Sequence, residues 1–466
     1  MTSSRIDAPS AAPKQGAKGL NPKVAVPVLL FTFVFCLVID NGFKFMTQPI
    51  GEALHLSAKT AGMQATLAGI LIGIGAVVYA ALADSISIRK LLIVGIGMVV
   101  VGSLIGFIGQ ASWPMVLTGR LIQTCGLAAA ETLYVIYVTK HIPTAEQKTY
   151  LGFSTASFQG AMLIGVLSSG FITTHISWTA FFLLPLILIL AVPFILKTVP
   201  KEEATTGSLD VVGLFMVAVL AASCVMFMQW YNVKWLLLGA VAIVLFAIDV
   251  WKNPKALVRP EFFKNGRYVW ALVVVLFVYS TQLGWIISFP FLVHELHGLS
   301  IDSASLLIAP GYLCATLVGI FSGAIGKILP SRPAIIMALC GIVVALLLPA
   351  VFPTAGVSLL VISMILFGSG FALMYAPLVA TAIRDIPAER SGIAIGFYNL
   401  VINVAIPTGI AIATKLLDDH LQAFSGLTTG SGESAVSYAS LLWVLAIIAM
   451  IGLVIYVVTD LMMTRR

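Results

Sequence analysis

The 466 residues are 60% hydrophobic and only 10% charged, whereas a soluble domain carries about 25% charged residues, so a water-soluble globule could not cover its own surface. The apolar residues come in blocks of roughly twenty separated by short polar stretches, the signature of repeated membrane helices, and little chain is left over for a separate catalytic or nucleotide-binding domain. The formal charge of +7 is scattered through the turns, where it reads topology and not a nucleic-acid surface.

In chain order, a polar tail over 1–23 leads into fourteen predicted spans: 24–46, 60–83, 91–111, 113–138, 150–173, 178–196, 211–230, 235–251, 268–290, 303–326, 333–351, 356–380, 391–416 and 438–460. The first is long for a signal-peptide core and lacks a small-residue cleavage site, so it is read as a retained helix. With the tail in the cytoplasm, every Lys and Arg except Lys44, Lys59, Arg120, Lys234 and Lys415 falls on the cytoplasmic side. That bias sets both termini inside. Cys36, Cys125, Cys224, Cys314 and Cys340 all lie within spans, where free Cys behaves as a small hydrophobe, and no disulfide framework is implied.

The second half repeats the first at an offset of about 243 residues. Glu52-Ala-Leu-His55-Leu56-Ser57 recurs as Glu295-Leu-His297-Gly-Leu299-Ser300, and Asp84 and Arg89 fall on Lys327 and Arg332. Ile142-Pro143-Thr-Ala-Glu146 followed by Gly152-Phe153 recurs as Ile386-Pro387-Ala-Glu389 followed by Gly396-Phe397. The pairing of span 1 with span 9 gives both copies one orientation. The expected fold is therefore all-α and polytopic: six-helix bundles at 24–200 and 268–462, two extra helices and a cytoplasmic linker over 201–267, and a short tail at 463–466. Parallel six-helix halves around a midplane site are how secondary transporters build alternating access; a duplicated channel or scaffold is the weaker alternative. Gly69 with Gly73, Gly102 with Gly106 and Gly319 with Gly323 mark close helix contacts.

No enzymatic machinery is present in the sequence. There is no Gly-x-x-x-x-Gly-Lys-Ser/Thr phosphate loop, and His294-Glu295-Leu-His297 lacks the His-Glu-x-x-His spacing of zinc enzymes, so neither a cofactor nor a metal site is expected. Four ionisable residues inside spans are the informative ones, because a charge near the bilayer centre costs about 2.5–3.5 kcal/mol on insertion scales. Asp40 and Lys44, four apart, share a helix face and read either as a self-neutralising pair or as a charge pair that opens as protons or substrate bind. Arg120 and Glu131 are eleven residues apart, about 16 Å along a helix axis, and cannot bridge. Glu131 must find another partner, face a wet cavity, or carry a proton. Its counterpart in the repeat is Tyr375, so the charged machinery is confined to the first half. The second half offers Gln282, Trp285, Tyr312, Tyr375, Tyr398, Asn399 and Asn403 as polar or aromatic candidates for a substrate pocket.

The turn Ala-Leu82-Ala83-Asp84-Ser-Ile-Ser-Ile-Arg89-Lys90-Leu-Leu92 resembles the loop between helices 2 and 3 of the major facilitator superfamily, with Ala80, Ser85, Ser87 and Ile88 departing from the pattern. The resemblance implies that Asp84 and Arg89 form a conformational lock. Gly119-Arg120-Leu-Ile-Gln123-Thr-Cys-Gly126 resembles the fourth-helix motif of drug:proton antiporters, which implies proton coupling at Arg120, alongside Asp40, Lys44 and Glu131. Ala161-Met-Leu-Ile-Gly165-Val166-Leu-Ser-Ser-Gly170 resembles the antiporter motif of the fifth helix, with Val166 in place of its proline.

With fourteen spans the chain is similar to the fourteen-helix antiporters, and above all to tetracycline efflux proteins of Gram-positive bacteria, the chromosomal exporters of staphylococci among them. Val38-Ile39-Asp40-Asn41, Gln64-Ala-Thr-Leu-Ala-Gly69, Ala130-Glu131-Thr-Leu-Tyr134-Val-Ile-Tyr137 and Phe371-Ala-Leu-Met374-Tyr375-Ala-Pro377 carry that likeness, and they add Asn41, Gln64 and Tyr134 to the substrate candidates. Met162 and Ile406 stand where plasmid-borne relatives have membrane acids. The resemblance implies proton-driven export of tetracycline or a related lipophilic drug, taken as a divalent-metal complex or alone, across a bacterial cell membrane. Export of another amphiphile, a fatty acid or a different antibiotic, is the alternative, followed by a sensor on a transporter scaffold.

Overall fold

A computed structural model describes residues 22–56, 58–83, 85–201, 210–230, 232–253, 264–299, 301–386 and 391–464. The described residues are helices and short connections. In the first half these are α1 (Val26–Phe45), α2 (Thr47–Ala53), α3 (Ala58–Leu82), α4 (Ile88–Ile108), α5 (Trp113–His141), α6 (Thr144–His175) and α7 (Val192–Thr198). Next come α8 (Val211–Trp230) and α9 (Val233–Lys252). The second half holds α10 (Gly266–Tyr279), α11 (Gln282–His297), α12 (Ile301–Ile320), α13 (Ser322–Ile328), α14 (Ser331–Val351), α15 (Val357–Ala382), α16 (Ser391–Asp418) and α17 (Glu433–Thr464). Long unbroken helices follow from the medium, since a backbone in hydrocarbon must satisfy its own hydrogen bonds.

Eleven of these segments are long and apolar enough to cross a membrane, twelve when α12 and α13, bent by 64° to each other, count as one span. Helices also occupy the two remaining expected spans, Thr144–His175 and Val211–Trp230. Three expected spans are broken. Before α7 the chain runs through 3-10 turns at Trp178–Phe182 and Leu184–Ala191, with Pro185 at the start of the second. Between α10 and α11 the Ser280 and Thr281 hydroxyls donate back to the carbonyls of Phe277 and Val278, each at 2.7 Å, a local alternative to the helix ladder. The third break is the bend at Phe321.

Displaced by the repeat offset, α4 falls on α14 end to end, and α5 and α6 fall on α15 and α16. The packing repeats too: α4 lies on α5 as α14 lies on α15. Two seams join the halves, α3 against α16 and α6 against α12. Small residues make these approaches possible. A Cβ on Gly73 would stand 2.9 Å from Asn403 Cβ, and one on Gly319 would stand 2.6 Å from the backbone nitrogen of Ala156. Helices α8 and α9 pack on each other, and α8 also touches α3 and α16, outside that seam. Along α9 the side chains of Leu237, Val241, Val244 and Trp251 are exposed, the pattern of a lipid-facing helix.

Candidate functional site

Between the two halves lies a cavity whose empty space, open mouth included, is about 930 Å³. Helix α1 contributes Phe33, Leu37, Asp40 and Lys44, while α5 contributes Glu131, Thr132 and Val135. Ser154, Phe158 and Gln159 come from α6, and Ile72 and Ala76 from α3. The second half supplies Tyr279, Gln282, Phe371 and Tyr375, with Asn399, Ile402, Asn403 and Ile406 from α16. One wall is charged and the other is aromatic and amide-bearing.

The charged wall is built around Asp40. Its Oδ1 lies 2.6 Å from Arg120 Nη2 and its Oδ2 lies 2.6 Å from Lys44 Nζ. Arg120 is buried and spends its remaining donors on neighbours: Nη1 donates to Gln123 Oε1 at 3.0 Å and Nε to Gln64 Oε1 at 3.4 Å. Gln123 in turn donates to Ser103 Oγ at 2.9 Å, and the guanidinium sits 4.7 Å over the Phe43 ring. A buried ion pair is tolerated only when such contacts satisfy both partners. The cluster of one carboxylate and two cations keeps one net positive charge. Glu131 faces the same cavity and has no ion-pair partner among the described residues; ionised, it cancels that charge across open space.

On the other wall Tyr375, the repeat counterpart of Glu131, donates to Asn399 Oδ1 at 3.3 Å, and Asn403 Nδ2 donates to the Asn399 carbonyl at 2.9 Å. Tyr279 meets Phe371 edge-on with centroids 5.1 Å apart. Thus seven of the residues singled out in the sequence, Asp40, Lys44, Glu131, Gln282, Tyr375, Asn399 and Asn403, line one cavity. Tyr312 lines a smaller lobe that adjoins it.

The others stand behind the walls. Gln64 donates to the Phe43 carbonyl at 2.7 Å and backs Arg120. Asn41 accepts from Lys44 at 3.2 Å. Tyr134 stacks on Phe33 and donates to the Tyr150 carbonyl. Trp285 is buried against Phe289, and Tyr398 against Tyr375. His294 and His297 engage the carbonyls of Leu299 and Pro353. Asp84 lies outside the described residues; Arg89 is half-buried in the first turn of α4. Its repeat counterpart Arg332 holds Asp460 of α17, Nε to Oδ2 at 2.6 Å. Ile406 lines the cavity, while Met162 is buried. Sequence reasoning missed Gln159 and Tyr279, both polar residues within spans, and the apolar liners Phe33, Leu37, Ile72 and Phe371, which nothing in a hydrophobic helix distinguishes.

The sequence profile described as the Major Facilitator Superfamily matches residues 28–410. The chain belongs to that superfamily. Among similar members, the multidrug resistance protein Stp of Mycobacterium tuberculosis is 24% identical over 78% of this chain and 70% of its own length. The riboflavin transporter RibZ of Clostridioides difficile is 19% identical over 94% and 98%, and the quinolone resistance protein NorB of Staphylococcus aureus is 26% identical over 84% and 88%. The superfamily fold is also seen in the human organic anion transporter MFSD10 (TM-score 0.63, 13% identity, 92% of this chain and 99% of that one). A variant of the Escherichia coli fucose:proton symporter FucP gives 0.59 and 14% over 93% and 99%. The protein is a multi-pass membrane transporter of small molecules, not an enzyme, and multidrug-resistance proteins are among its relatives.

Proposed function

We propose that the chain is a proton-coupled antiporter that exports tetracycline or a related lipophilic drug by alternating access, using bundles at 24–200 and 268–462 with the extra helices of 201–267 alongside. The observation that carries this reading is the contrast between two carboxylates. Asp40 is held by Arg120 and Lys44, whereas Glu131 faces the cavity with no counter-ion among the described residues. A lone carboxylate in a low-dielectric space takes either a proton or a cationic group of the substrate, and each displaces the other. A monocationic drug, or its divalent-metal complex, bound from the cytoplasm would leave outside as a proton takes its place, and the proton gradient would drive the cycle. No cofactor enters it.

The relatives named for quinolone resistance and riboflavin transport favour a second reading, export of another flat amphiphile through the same cavity. The test is uptake of tetracycline into inverted vesicles under an imposed pH gradient. Glu131→Gln abolishes it while the protein stays folded; near-normal uptake in that variant removes Glu131 from the mechanism. Susceptibility profiling of expressing cells separates tetracycline from other drugs.

A further inference from the structure

A second cavity lies at one end of the second half, and it shares no lining residue with the central one. Its walls come from the first turns of α10 and α14, the last turns of α17, and the end of α15 with Arg384 just beyond it. The centre of a water molecule can reach about 330 Å³ of it, where one bound water needs only ~10–15 Å³, so a group of lipid-headgroup size fits.

Three guanidiniums line it, those of Arg267, Arg332 and Arg384. Arg267 Nη1 lies 3.2 Å from Asp385 Oδ2, and Arg332 Nε lies 2.6 Å from Asp460 Oδ2. Each of these forks keeps further donors, because a guanidinium carries five N–H groups. Arg384 is exposed and has no ion pair or hydrogen bond among the described residues. Three cations against two carboxylates leave one net positive charge, which a single phosphodiester balances.

The surroundings point to a lipid as the source of that phosphodiester. All four helices end here, so the cavity stands where the bilayer gives way to water, and the charge bias of the turns assigns this side to the cytoplasm. Trp270, which also lines it, is exposed, as an aromatic residue at a membrane boundary is. Deeper along the same helices the lining turns apolar at Val274 and Leu378, while Ser331 and Thr381 bring hydroxyls to the charged end. Basic pockets between membrane helices on the cytoplasmic side suit anionic headgroups, and guanidiniums match phosphate geometry with paired hydrogen bonds.

We propose that this cavity is a binding site for an anionic phospholipid with a hydroxyl-bearing head, of the phosphatidylglycerol class. Arg384 and the free donors of Arg267 and Arg332 hold the phosphate, Ser331 and Thr381 meet the head's hydroxyls, and the acyl chains pass Trp270 into the bilayer. The site is independent of what the central cavity carries.

The test is thermal unfolding of the full-length protein in neutral detergent, since a ligand that binds the native state raises the midpoint. Dioctanoyl-phosphatidylglycerol, dioctanoyl-phosphatidylcholine and glycerol 1-phosphate are titrated separately. The first is expected to give a saturable rise, at a half-saturating concentration about tenfold below that of the choline lipid, and glycerol 1-phosphate, which has no chains, should be weaker still. Arg384→Gln should raise the half-saturating concentration of the glycerol lipid about tenfold. Lys197→Gln, which removes an exposed cation on α7 of the other half, should leave it unchanged. The midpoints without lipid check that each variant folds, and Ser331→Trp, which fills the charged end of the cavity, provides an independent loss.

Equal half-saturation by the two lipids would overturn the assignment. So would glycerol 1-phosphate acting as strongly as the glycerol lipid, which would make this a site for soluble phosphates, or equal effects of Arg384→Gln and Lys197→Gln, which would reduce it to diffuse surface charge.

Discussion

Arg120 Nη2 lies 2.6 Å from Asp40 Oδ1, with both side chains all but sealed from solvent. Removing one partner of a buried pair leaves the other charge uncompensated, at a cost of about 3–5 kcal/mol. Here Lys44 remains on Asp40, so Arg120→Ala is expected near the lower end, read as a lowered midpoint in thermal unfolding in detergent. Arg120→Lys should not restore it, because one ammonium cannot hold Asp40, Gln123 and Gln64 at once.

Gly102 supports that pair from a distance. A Cβ there would stand 2.8 Å from Gln123 Cα, so Gly102→Val must push α4 away from α5 and shift the residue that orients Arg120. Overpacking of this kind typically costs about 1–3 kcal/mol. The expected signature is a stability loss together with a fall in transport, and a stable, fully active Gly102→Val would show that the α4–α5 spacing is not critical.

The α6–α12 seam holds the halves together near the α5–α6 turn. Gly152 packs on Ser322, and its Cβ position is 3.3 Å from the Gly319 carbonyl. Gly152→Leu is expected to separate the halves at that end and to slow transport at least tenfold. Spin labels on Thr149 and Lys327 should report a longer distance than in the wild type. An unchanged distance distribution would mean that the seam yields elsewhere.

Tyr375→Phe removes one hydrogen bond, to Asn399, and keeps the aromatic wall. A neutral hydrogen bond is worth about 1 kcal/mol net, so substrate affinity should fall by no more than about fivefold. Tyr375→Ala, which also removes the ring opposite Glu131, should lose considerably more. Equal losses in the two variants would assign the effect to the hydroxyl alone.

Much of the architecture was legible because membrane helices announce themselves. Apolar blocks placed the spans, and the repeat of Ile142-Pro143 in Ile386-Pro387 paired the halves. Asp40, Lys44, Arg120 and Glu131 stood out because charge in hydrocarbon is costly. Phe33, Leu37 and Phe371 did not, since an apolar residue facing a cavity and one facing lipid read alike in a hydrophobic helix. Gln64 entered through a family resemblance, as a substrate candidate, and its place behind Arg120 was not legible.

Composition and spacing alone therefore determined that this chain is a duplicated polytopic membrane protein and which few ionisable residues sit inside its spans, because insertion cost and helical periodicity are local properties. Only the tertiary structure decided which charges are paired. Asp40 and Arg120 are eighty positions apart on separate helices, and their 2.6 Å contact depends on how α1 and α5 pack. That packing leaves Glu131 facing the cavity, because a carboxylate eleven residues further along α5 cannot reach the same guanidinium.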